Sequence, residues 1–134
     1  MSDDEPSFAD AAEERAKHVH LTMDLCLRIG DLLLSSGAGA ADVVATMTSV
    51  AHHLGLRQPD VDVTFTALTM SYQGSPEELP TLLVRHVRQR DLDYQDLTAV
   101  DHLVRDILAD RVDVYLARSR MATIVSPSTR TSPA

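Results

Sequence analysis

The residues able to do chemistry in this chain of 134 residues are few: six histidines, one cysteine, a serine pair beside two glycines, and an arginine cluster. His18 and His20 stand two apart in a helical pattern, so their side chains leave the helix about 200° apart and cannot share a metal. His52 and His53 diverge in the same way, and His86 and His102 fall on separate elements. The spacing predicts no metal site, and no motif asks for a cofactor. Ser35 and Ser36 precede Gly37, but a nucleophile elbow needs Gly-x-Ser-x-Gly at a strand-to-helix turn. Here the serines end a helix, where a hydroxyl bonds nearby backbone groups. Gly37 and Gly39 lack the preceding strand and the third glycine of a dinucleotide loop. The start of the second helix offers free N–H groups to a small anion, which Asp42 on the same turn would repel.

A hydrolase of small-molecule or peptide substrates would have to draw on Ser36, His102 and Asp101, which no spacing brings together. The chain therefore reads first as a binding or partner-contacting protein, with such a hydrolase and an oligomerisation module without ligand as the alternatives. Thr64, Thr66, Thr69 and Ser71 lie along a strand, where hydroxyls suit β structure or line a small-molecule cleft. With Ser36 and Gly37, Thr64, Thr66 and Ser71 are the substrate-binding candidates. Arg85, Arg88 and Arg90 form the basic cluster, serving either to protect a strand edge or to anchor an acidic partner surface. Asp101 with Arg105 and His102 with Asp106 are spaced as surface pairs one helical turn apart. Cys26 falls inside an apolar stripe and reads as a buried small hydrophobe.

The elements that must position these residues follow from periodicity. Residues 1–6 form an acidic lead predicted to be disordered. Ser7 and Asp10 make a capping box, and Phe8, Ala12, Ala16, Val19, Met23, Cys26, Gly30 and Leu33 then recur every three or four residues, a stripe of about seven turns. Ser35-Ser36-Gly37-Ala38-Gly39 interrupts it with a tight turn, for which Gly37 supplies a left-handed backbone. A second helix presents Val43, Met47, Val50, Ala51 and Leu54 and ends at Gly55, giving an antiparallel helical hairpin. Beyond Pro59, residues 61–67 alternate as a half-buried strand. The alternation changes phase near Ala67 and Leu68, as at a bulge or in a strand covered on both faces. Residues 74–80 are a loop, and residues 82–88 a second strand, antiparallel to the first. Asp93 and Asp96 mark the start of a third helix bearing Leu97, Val100, Leu103, Val104, Ile107 and Leu108. A break at Asp110 and Arg111 precedes a fourth with Val114, Ala117, Met121 and Ile124. The prediction is one α+β domain over residues 7–125, ordered ααββαα, with a Ser/Thr/Pro linker or tail over 126–134. A two-stranded sheet is marginal alone, so its exposed edge and the long helical stripe predict self-association into a homo-oligomer.

Twelve basic against twenty acidic residues leave a net charge of −8. That balance argues against nucleic acid and anionic lipid as partners. A single cysteine excludes an internal disulfide, no apolar run is long enough to span a bilayer, and the acidic start is unlike a signal peptide. These features predict a soluble, cytoplasmic domain.

Arg28-Ile-Gly-Asp-Leu-Leu-Leu-Ser-Ser-Gly-Ala-Gly-Ala-Ala-Asp-Val43, with Met47 and Ala51-His-His-Leu-Gly-Leu56, resembles the opening signature of the threonine/serine exporter (ThrE-type) family. Val61-Asp-Val-Thr-Phe-Thr-Ala-Leu-Thr-Met-Ser-Tyr72 is similar to that family's first strand. Tyr94-Gln-Asp-Leu-Thr-Ala-Val-Asp-His-Leu-Val-Arg-Asp-Ile107 and Leu116-Ala-Arg-Ser-Arg-Met121 are similar to its following helices. The resemblance implies a domain at the cytoplasmic face of the cell membrane, preceding a membrane-spanning transporter region. That region would lie in the same chain or in a separate one. Gating, assembly or substrate access are the roles it implies. Two departures from the family's pattern stand out: Val44 stands where many members carry glutamate, and Gly39 and Ala40 replace a polar pair.

Overall fold

The computed structural model describes residues 7–64, 66–87 and 94–124. Helices α1 (Phe8–Ser35) and α2 (Ala40–His53) come first, then strands β1 (Asp60–Val63), β2 (Ala67–Tyr72) and β3 (Thr81–His86), then helices α3 (Tyr94–Leu108) and α4 (Val114–Ile124). The fold is α+β, with the strands set between two helical pairs. β2 lies at the centre of the sheet and pairs antiparallel with β1 and β3.

The phase change near Ala67 is a reversal of the chain rather than a bulge. Thr64 N–H donates to the Ala67 carbonyl at 2.9 Å, and the Thr64 hydroxyl accepts the Ala67 N–H at 3.1 Å. Val63 then pairs with Leu68. That register sets an odd-numbered residue beside an even-numbered one on the same face, which inverts the alternation without any strand irregularity.

The elements form three layers. α1 packs on β2 and β3, and α2 on β1, so the two cover one face of the sheet; α3 and α4 pack on the far side of α1 and α2. α1 is thereby central. Thr22, Met23, Leu25, Cys26, Leu27, Ile29, Gly30, Asp31 and Leu32 are all buried, which is how a helix enclosed on several sides reads. Its first turns project past the core instead, and Phe8 is 95% exposed. The apolar stripe on α1 is therefore continuous as a pattern but buried only in its second half, where neighbours reach it.

The turn after α1 closes as a Schellman motif. Gly37 has φ +96°, its N–H donates to the Leu34 carbonyl at 3.1 Å, and Ala38 N–H donates to the Leu33 carbonyl at 3.0 Å. The same pattern ends α2, with Gly55 at φ +102° and Leu56 N–H on the Ala51 carbonyl at 2.9 Å. A Cβ at position 37 would meet no atom within 4 Å, so any penalty there is backbone strain alone. Gly37→Val is expected to lower stability by about 1–3 kcal/mol. Gly39→Ala should be milder, because Gly39 has φ −69°. Urea unfolding of the two variants measures both, and equal losses would refute the left-handed argument.

Candidate functional site

The candidate residues fall in separate places. Ser36 ends α1 and its hydroxyl donates to the Leu33 carbonyl at 2.7 Å. Asp101 lies on α3 and pairs with Arg105 at 3.0 Å, while His102 beside it is exposed. Among the described residues, none of these three hydrogen-bonds to another. His102 and Asp106 do not pair either, because Asp106 receives Arg111 at 3.1 Å and Arg120 at 2.6 Å. Thr64, Thr69 and Ser71 share the outer face of the sheet, away from the helices, as the strand register requires. Thr64 uses its hydroxyl in the β1–β2 turn. Thr66 is exposed in that turn, and its carbonyl accepts the Val87 N–H at 2.8 Å. Arg88 and Arg90 lie outside the described residues, as do residues 1–6, Asp93 and residues 126–134.

Arg85 points to the inner face of β3, where its Nε donates to Asp31 Oδ2 at 2.8 Å. The Asp31 side chain is only 2% exposed, whereas that of Arg85 is 31% exposed. Ser35 donates its hydroxyl to Asp31 Oδ1 at 3.3 Å. This group ties the middle layer to the sheet. The sequence did carry a signal for it, since Asp31 interrupts the most apolar part of α1.

Two further clusters hold α4. Asp24 Oδ2 on α1 accepts Arg28 at 3.0 Å and Arg118 at 2.8 Å, and Arg118 also donates to the Leu21 carbonyl at 3.0 Å. On the other side of α4, Arg120 reaches Asp106 of α3. Burial pushes the Asp24 carboxyl up, but the Arg118 hydrogen bond and the two guanidinium charges outweigh it, so its pKa lies below the ordinary value. Hydrogen bonds from Arg120 and Arg111 lower that of Asp106.

Because both carboxylates hold protons less tightly folded than unfolded, the unfolded chain protonates first as pH falls. Their contribution is complete well above the ordinary value of 3.8 and disappears as pH drops through the lowered folded values. Asp24→Asn is expected to destabilise at pH 7 and to flatten the loss of stability between about pH 5 and pH 2. Urea midpoints across that range check it, and an unchanged acid slope would refute it.

Cys26 is buried in the core and desolvation pushes its thiol up to about 12. In that state it is a packing residue, not a nucleophile. Among the described residues, no three of His, Cys, Asp or Glu gather to hold a metal ion.

Three clefts lie among the described residues. A cleft of about 340 Å³ lies between the projecting turns of α1 and the β2–β3 loop, with Ala12, Ala16 and Tyr72 in its walls and Arg15 and Glu78 at its edge. A second, about 480 Å³, runs between α1 and α4 past Leu25 and Tyr115, and a third, about 540 Å³, lies at the ends of α2 and α3 beside His18, His53 and Asp110. These volumes suit small molecules. In the third, His18 Nε2 lies 2.8 Å from the Leu54 carbonyl and His53 Nδ1 3.0 Å from Asp110 Oδ1. His18 thus ties the body of α1 to the end of α2, and His53 ties that end to the turn after α3.

No helix among the described residues is long and apolar enough to cross a membrane. Residues 24–134 match the sequence model of the family described as "Putative threonine/serine exporter". The chain is 38% identical over 104 residues to the "Probable threonine/serine exporter" of Mycobacterium tuberculosis, a match covering 78% of this chain and 20% of that protein. It is 34% identical over 88 residues to the "Threonine/serine exporter" of Corynebacterium glutamicum, covering 65% of this chain and 18% of that one. The chain thus aligns with about a fifth of the length of these relatives. No solved structure matches it.

Proposed function

This chain belongs to the threonine/serine exporter family, and we propose that it works as an exporter domain at the cytoplasmic face of the membrane, in gating, assembly or substrate access. The observation that carries this reading is the match over residues 24–134 to an exporter family, on a fold whose described helices include no membrane-crossing one. A solute path must cross the bilayer, and backbone that faces lipid must be helix or closed barrel. The domain's contribution to transport is therefore indirect, through a membrane-spanning region in the same chain or in a separate one.

Two features of the fold suit such a role. The ion pairs at Asp24 and Asp31 brace the three layers against one another, the pair of Asp106 with Arg120 ties α3 to α4, and the clefts beside α1 are of a size for small solutes. The test is efflux from cells loaded with threonine or serine, with this domain removed and the membrane-spanning region retained. Loss of efflux supports the reading; unchanged efflux of both amino acids rejects it.

A further inference from the structure

We propose that β3 is a self-recognition edge, through which two copies of this chain join antiparallel about a twofold axis at Leu83, making one continuous sheet. This assembly is independent of the transport reading. The described sheet has two outer strands, β1 and β3, and each leaves one backbone edge without a strand partner among the described residues. Such edges template pairing unless something blocks them.

The two edges differ in charge. β1 presents Asp60 and Asp62 on the exposed face, so two β1 edges brought together would crowd carboxylates, and like charges across strands destabilise. β3 presents Leu82 and Val84, 62% and 53% exposed, with His86 after them. Its one arginine, Arg85, turns inward and is neutralised by Asp31. On a chain of net charge −8, β3 is the edge of the sheet where a like-charged copy meets least repulsion. Pairing β1 with β3 of another copy would leave free edges and continue without closing, whereas β3 with β3 closes after two.

The register follows from the pleat, because residues opposite each other in an antiparallel pair share a face. Centring on Leu83 sets Leu82 against Val84 of the partner subunit and Thr81 against Arg85 of the partner subunit. The four outward aliphatic side chains then meet as cross-strand pairs, and no two cations are opposed. Centring on Val84 would instead place Leu82 against His86 of the partner subunit and Leu83 against Arg85 of the partner subunit. The first register keeps apolar beside apolar.

Light scattering of the chain from ~1 to ~300 µM should show the mass rising from one copy to two, with a dissociation constant of about 10–100 µM for so small an interface. Leu82→Lys and Val84→Lys, both on the exposed face, should keep the circular dichroism of the parent and weaken the dimer at least about tenfold. Asp62→Asn on β1 should leave it intact. For the register, chains carrying Leu82→Cys and Val84→Cys should form an intermolecular disulfide when mixed and oxidised, and neither should do so alone. Cys26 is buried and gives no background. A chain that stays monomeric throughout, a dimer indifferent to both lysines, or cross-linking of Val84→Cys on its own would overturn the proposal.

Discussion

Arg85→Met is expected to lower the stability of the fold by about 3 kcal/mol. The reason is the asymmetry of the pair it breaks. Asp31 is closed off between α1 and the sheet with its side chain 2% exposed, while the Arg85 side chain keeps 31% of its surface in water. Removing the arginine takes its guanidinium away from a buried carboxylate, and the Ser35 hydroxyl at 3.3 Å is a weaker, neutral donor that does not replace it. The converse change strands much less. In Asp31→Asn the arginine turns to solvent and the amide keeps a hydrogen-bonding role, so the loss should be about 1–2 kcal/mol. Combining Arg85→Met with Asp31→Leu should recover part of the single-variant loss, since an apolar pair can replace a buried ionic one. Urea unfolding of the four proteins decides the matter. If Asp31→Asn proves the more damaging change, the buried carboxylate is not what Arg85 serves.

Gly30→Leu should be at least as severe, about 3 kcal/mol or more. Gly30 lies where α1 meets both α2 and the sheet, and a Cβ there would sit 2.5 Å from Met47 Sδ and 3.1 Å from Leu68 Cδ1. Both neighbours are fully buried, so a longer side chain has nowhere to go without separating the layers. Gly30→Ala tests the same contact more finely. It gains about 1 kcal/mol of helix propensity while pushing on Met47, and a net loss of about 1 kcal/mol is expected. With Met47→Ala in the background the 2.5 Å contact is gone and only Leu68 Cδ1 stays close, with space beside it to yield, so Gly30→Ala should then stabilise. That change of sign, read from urea midpoints, is the measurement; a loss of the same size in both backgrounds would refute the steric account.

Much of the fold was legible in the chain because it depends on near neighbours. The Ser7–Asp10 capping box forms as the spacing predicts, Gly37 and Gly55 take the positive φ that ends α1 and α2, and Cys26 is buried within its stripe. Helix periodicity, end signals and the order of helices around strands are set within a few residues of each position, so reading along the chain recovers them. The resemblance to the exporter family rested on the same local stretches, and the match over residues 24–134 bears it out.

What lay beyond such reading concerns which distant surfaces meet. The stripe on α1 looked uniform, but burial is confined to the half that the sheet and other helices reach, because periodicity orients a face without supplying its neighbour. The phase change at Ala67 was compatible with a bulge until the pairing of Val63 with Leu68 showed a turn. Arg85 read as a surface anchor because its counter-ion lies 54 positions earlier, and Arg118 meets Asp24 across 94. An arginine in sequence carries a charge but no address. The packing of three layers brings each one beside its carboxylate, and desolvation within those layers makes the encounter matter.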